Sequence, residues 1–243
     1  MSRRRTFATA ARVLRQLRHD PRTVALMIVV PSMLMVLLRY VFDSKAEFNV
    51  LAPSLLGIFP FTLMFVVTSI TTLRERSLGT LERLLTTPLH KLDLLAGYAI
   101  AFAVVAILQV LVVVGVSTAL GLDVKGNFAG VLLVTLLDAL LGVGLGLFAS
   151  AFAHTEFQAV QFLPLVVFPQ LFLCGLFRAR DQMATVLRWL SDVMPLSYAV
   201  EALKRAAAHT DLGFAYARDT LVIAGCVAIA VALAAVTLRR TTA

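Results

Sequence analysis

Residues 74–88 read RERSLGTLERLLTTP and lie between two long apolar runs. On a helix, Leu78, Leu81 and Leu85 share one stripe. Glu75 and Glu82 share a second, Arg76 and Arg83 a third, and Gly79 falls between the two charged rows. These types at this spacing make no bond-breaking machinery; their chemistry is recognition. A leucine keel suits a membrane surface, and sorted charges suit a complementary protein face. Gly79 costs about 1 kcal/mol relative to alanine in an exposed helix, and an outward glycine admits close approach by another surface. Pro88, after Thr86 and Thr87, ends the segment. A solvated helix held to lipid by its leucines is the alternative.

Asp138 is the second chemical candidate, because it is the acidic residue deepest within an apolar run. Ten residues from Phe128 at 1.5 Å each place it roughly 15 Å deep. Near a bilayer midplane a carboxylate costs about 2.5–3.5 kcal/mol on insertion scales. It either faces a wet cavity or a seam with another copy, or is a structural carboxyl, neutral or paired with a hydroxyl such as that of Thr135. Gln109 and Gln170 are further candidates for a polar path, with interhelical hydrogen bonding as their alternative duty.

Other chemistries find no pattern. No G-x-x-x-x-G-K-S/T phosphate loop, H-E-x-x-H pair or G-x-S-x-G elbow occurs, and His19, His90, His154 and His209 are scattered. No intrinsic enzyme is expected. Gly142, Gly146, Ala149 and Ala153 fall on one helical face, which suits close helix packing. Cys174 and Cys226 lie in apolar runs and read as small packing residues.

The elements that position these residues follow from composition. The chain has 243 residues, 60% hydrophobic and 15% charged, with a formal charge of +8; a soluble domain would carry roughly 25% charged residues. A bilayer core of about 30 Å needs about 20 apolar residues per helix. Six stretches suffice: 23–42, 50–73, 94–122, 128–153, 157–177 and 220–238. No alternation marks barrel strands. The expected fold is a single all-α membrane domain with six transmembrane helices.

Seven arginines precede the first run, and the positive-inside rule then puts both termini in the cytoplasm. The basic charge is topology, so no nucleic-acid partner is expected. The first run is long and lacks a small-x-small cleavage site, and reads as a retained anchor. Residues 6–20 form a basic amphipathic helix for the headgroup plane, with Phe7, Ala10, Ala11, Leu14 and Leu17 on one face. On the outer side, residues 182–208 read as two short helices meeting at Pro195. They form a re-entrant hairpin or a plain surface hairpin.

The stretch 75-ERSLGTLERLLTTP-88, with 194-MPLSYAVEA-202, resembles the permeases of ABC-2 type transporters, and among them the daunorubicin and multidrug export group. The likeness extends over nearly the whole chain. It implies a multi-pass cell-membrane permease that dimerises, with two copies of a separate subunit that binds ATP and magnesium; this chain would hold no cofactor. Residues 74–88 would be the coupling helix. Arg74, Glu75, Arg76, Gly79, Thr80, Leu81, Glu82, Arg83, Leu85 and Pro88 would touch that subunit. The amino-terminal helix would be the elbow, and the outer hairpin, with Met194, Pro195, Tyr198 and Glu201, would cap the route of an exported amphiphile. The competing readings are a partner-independent channel or secondary transporter that uses Asp138, and a membrane scaffold. A secondary transporter would be expected to show internal repeats, and none is evident.

Overall fold

A computed structural model describes residues 3–77 and 91–237. Its helices are α1 (Arg3–His19), α2 (Pro21–Phe42), α3 (Lys45–Ser77), α4 (Lys91–Ala119), α5 (Phe128–Ser150), α6 (Glu156–Leu173), α7 (Thr185–Val193), α8 (Pro195–Ala208) and α9 (Gly213–Thr237), with a 3-10 turn at Arg180–Gln182. No strand occurs among the described residues. Six of the helices, α2 to α6 and α9, are long and apolar enough to cross a membrane. The all-helical expectation holds.

The helix ends have local causes. The Asp20 carboxylate accepts from the Thr23 amide at 3.3 Å and the Thr23 hydroxyl at 2.6 Å. It caps α2, and Pro21 fills the first helical position, where a missing N–H costs nothing. Asn127 caps α5 by accepting from Gly130 N at 2.8 Å, and Thr155 caps α6 by accepting from Gln158 N at 3.2 Å.

Several bounds differ from the sequence expectation. Helix α3 runs without interruption through Ser77, past the expected end at 73, so Arg74, Glu75 and Arg76 lie in its last described turn. At 33 residues it is about 50 Å long, well beyond the roughly 30 Å of a bilayer core. The final helix starts at Gly213, ahead of the expected 220, because Asp219 turns inward and is neutralised there rather than ending the helix.

Helices α3 and α5 form the centre. A Cβ at Gly142 or Gly146 would run into the carbonyl oxygens of Phe61 and Phe65, so the two backbones touch where those glycines lie. This meets the small-residue expectation for Gly142 and Gly146. Helices α2, α4 and α8 pack against this pair, α9 packs on α5 and α8, and α6 packs on α3. Successive spans alternate in direction. The end of α3, the start of α4, the end of α5 and the start of α6 therefore gather at the end where α1 lies. Few residues of α2, α6 and α9 are buried, and Leu26, Met33, Phe157, Leu165, Leu221 and Ile229 are exposed, the surface that lipid covers in a membrane protein.

Candidate functional site

At the α1 end, polar side chains tie the helix termini together. Arg12 Nη2 donates to Glu75 Oε2 and to Tyr98 Oη, each at 3.0 Å. Thr6 Oγ1 stands 3.4 Å from Asp93 Oδ1. Arg74 grips Glu156 with two bonds of 2.6 and 2.8 Å, and Arg76 donates to the Ser150 carbonyl. The Arg74–Glu156 pair is half exposed on both sides and contributes at most about 1 kcal/mol. Glu75 is a different case: it is 7% exposed and turned into the protein.

The three described candidate contact residues, Arg74, Glu75 and Arg76, are thus engaged within the chain. Gly79, Thr80, Leu81, Glu82, Arg83, Leu85 and Pro88 lie outside the described residues. Arg12, Thr6, Asp93 and Tyr98 were not foreseen, since their partners are more than sixty positions away and no local spacing announces such pairs.

The three interior candidates do not meet. Gln109 Nε2 donates to the Met27 carbonyl at 2.8 Å. That carbonyl is four residues before Pro31, whose ring nitrogen has no hydrogen to give it. Gln109 therefore repairs a gap in α2. Gln170 likewise serves a helix end: its Oε1 accepts from Leu196 N at 3.4 Å, in the first turn of α8, where Met194 offers no side-chain cap.

Asp138 is fully buried, and neither carboxylate oxygen has a hydrogen-bond partner among the described residues. The pairing with Thr135, one of the alternatives for a structural carboxyl, does not occur, because that hydroxyl donates to the Val131 carbonyl of its own helix at 2.8 Å. Asp138 faces Gly57 on α3 beside Leu203 of α8, both close to where a Gly57 Cβ would stand. A lone buried carboxyl stabilises nothing in this arrangement.

At the opposite end, α7 and α8 meet at Pro195. Leu196, Ala199, Val200, Ala202, Leu203 and Ala206 are buried against α3, α5 and α9, whereas Val186, Trp189 and Val193 of α7 face outward. Tyr198 Oη donates to the Asp192 carbonyl at 2.7 Å. A chain of charges then joins the hairpin to its neighbours. Arg180 bonds Asp192 and Glu201, and Arg205 bonds Asp219, which Arg218 also holds at 2.7 Å. Glu201 was anticipated at this hairpin; its arginine partners were not. Lys204 donates to the Gly175 carbonyl at 2.7 Å, and loss of water around its ammonium holds its pKa below the ordinary lysine value.

Comparison of the sequence with known proteins gives the family. Residues 4–206 match the ABC-2 type transporter family. The chain belongs to that family. Among curated ABC-2 relatives, it is 28% identical over 169 residues to the probable multidrug ABC transporter permease YbhS of Escherichia coli, covering 68% of this chain and 45% of YbhS. It is 27% identical over 154 residues to the probable multidrug ABC transporter permease YbhR, covering 63% and 42%. It is 25% identical over 155 residues to ABC transporter G family member 20 of Dictyostelium discoideum, covering 63% and 21%. This ABC-2 chain thus spans less than half the length of these relatives.

Proposed function

We propose that this chain is the membrane subunit of an ATP-driven exporter, moved by a separate ATP-hydrolysing subunit. The observation that carries the reading is the family match over residues 4–206, which runs through the charged segment and the hairpin. Relatives named as multidrug ABC transporter permeases support an amphiphilic cargo. ATP and magnesium would be bound by the partner subunit, in two copies, on a permease homodimer in the cell membrane with both termini in the cytoplasm.

In this mechanism residues 74–88 are the coupling helix. Glu82 and Arg83 present opposite charges to the partner, and Leu78, Leu81 and Leu85 seat the helix on the permease or the lipid. Arg74, Glu75 and Arg76 act from the bundle side, bonding the last turn of α3 to α1, α5 and α6 so that a push on the segment reaches several spans. Helix α1 is the elbow at the inner leaflet. The hairpin of α7 and α8 is re-entrant and closes the outer end; the buried face of α8, with Leu203 reaching the neighbourhood of Asp138, supports that role.

The test is reversal of both charges, Glu82→Arg with Arg83→Glu, in the complex. Permease insertion should be unchanged while ATP turnover no longer drives transport of a fluorescent amphiphile. Unaltered transport would remove the docking assignment. A second reading, a partner-independent transporter using Asp138, is favoured by its unpartnered buried carboxyl. Transport by the permease alone in proteoliposomes, without ATP, would select it.

A further inference from the structure

The turn that leaves α6 and the last two turns of α8 enclose a cavity of about 330 Å³ at the hairpin end. Gly175 forms part of its wall; its φ of +85° is a left-handed backbone that suits glycine, and its missing side chain leaves the space open. Cys174 lines the cavity as well. Burial pushes that thiol up to about 11, so it stays protonated and adds no negative charge. The remaining wall carries three cations, Arg180, Lys204 and Arg205, against two carboxylates, Asp181 and Glu201.

Most of this charge is already matched. Glu201 bonds Arg180 through Oε1 at 3.0 Å and Arg205 through Oε2 at 3.4 Å. Asp192 and Asp219, which do not line the cavity, hold the same two arginines. Lys204 is the exception. Among the described residues it forms no ion pair; its ammonium donates to the Gly175 carbonyl at 2.7 Å and keeps two protons to give. Arg180 also has a donor left over, because its Nε is buried and meets no acceptor among the described residues. The Cγ and Cδ of Arg180 lie 3.5 and 3.9 Å from where a Gly175 Cβ would stand. Two unmet cationic donors thus flank one glycine, one from α8 and one from the turn after α6. A tetrahedral phosphate offers an oxygen to each, and charge-assisted bonds of this kind are the strong ones.

The outside of the same turn is apolar. Phe172 and Phe177 stack with ring centroids 5.7 Å apart, and both are exposed at the end of α6, a helix whose surface faces lipid. A charged recess beside an exposed aromatic pair is the shape of an amphiphile's two halves.

We propose that this cavity is a binding site for a phosphate group, held by Lys204 and Arg180, and that an amphiphile bearing it lays its tail along Phe172 and Phe177. The bound phosphate ties the turn after α6 to α8. The site is independent of residues 74–88 and of any ATP-hydrolysing partner.

The test uses the full chain in dodecyl maltoside, whose neutral head brings no phosphate. Acetylation of each lysine by N-hydroxysuccinimidyl acetate is followed by peptide mass spectrometry, with hexadecyl phosphate as the probe. Lys45 and Lys125, both exposed, serve as internal references. Saturating probe should slow acetylation of Lys204 about tenfold or more, the worth of one bond to a charged group, while the two references keep their rates. Inorganic phosphate distinguishes the sources: equal protection by the free ion keeps the phosphate site and assigns it to that ion, and protection by the tailed probe alone assigns it to an amphiphile. In native mass spectrometry Lys204→Gln should retain hexadecyl phosphate about tenfold less tightly, and Lys204→Arg should keep it. Unchanged retention by Lys204→Gln, no slowing at Lys204, or equal slowing of all three lysines would overturn the site. If Lys204→Gln fails to insert, the labelling of the parent decides alone, by the same outcomes.

Discussion

The side-chain amide of Gln109 on α4 bonds the Met27 carbonyl on α2, the carbonyl that Pro31 leaves without its helical donor. A buried carbonyl with no partner costs about 1–3 kcal/mol, so Gln109→Leu should lower thermal stability in detergent by that order. Pro31→Ala restores an N–H to α2 and should suppress most of the loss. Equal losses with and without the proline would show that Gln109 acts in some other way.

The contact of α3 with α5 leaves no room for side chains where Gly142 and Gly146 meet the backbone of Phe61 and Phe65. Gly142→Val should cost about 1–3 kcal/mol or more, because backbone cannot step aside as a flexible side chain can. Gly115, which has open space around it, is the control, and Gly115→Ala should be tolerated. Similar melting temperatures for Gly142→Val and the parent would refute the seam.

Asp138→Asn separates structure from function. Among the described residues the carboxyl has no hydrogen-bond partner, and it is fully buried, so Asp138→Asn should leave stability equal or raise it, by up to about 3 kcal/mol. Transport in proteoliposomes should fall if the carboxyl meets cargo or a proton in another state. Full transport together with normal folding would assign Asp138 no functional duty.

The cap at Asp20 predicts a pH dependence. Its bonds from the Thr23 hydroxyl and amide favour the ionised form and hold the Asp20 pKa below the ordinary value. The folded state then binds this proton less tightly than the unfolded chain. The stabilisation is complete above about pH 3.9, the usual aspartate value, and is lost as pH falls through the lower, folded value. Asp20→Asn keeps a neutral acceptor, so its melting temperature should fall less steeply with acid over that window. Identical slopes would rule out the cap as a source of acid sensitivity.

Much of this was legible in the sequence, for reasons that can be named. A span must satisfy its backbone within itself, so twenty apolar residues announce a helix whatever they pack against. The face of Gly142 and Gly146 was legible because small residues four apart mark close approach. The α3 boundary was not: charge at Arg74 looks like an exit from the membrane, yet helix continues into water as readily as it crosses lipid. The early start of α9 was hidden because Asp219 is acceptable inside only once Arg205, fourteen positions earlier, is beside it. Gln109 and Gln170 read as polar path residues because sequence records a side chain's polarity but not its partner. Their partners are a carbonyl exposed by a proline and a helix start without a cap.

The glycine seam also divides the labour of the bundle. Where two backbones touch, sliding or tilting meets hard repulsion at once, so α3 and α5 behave as a keel. Any rearrangement of the bundle must then be carried by the timbers around it, above all α2 and α6, few of whose residues are buried. A swing of those helices about a stationary pair is the economy this packing imposes.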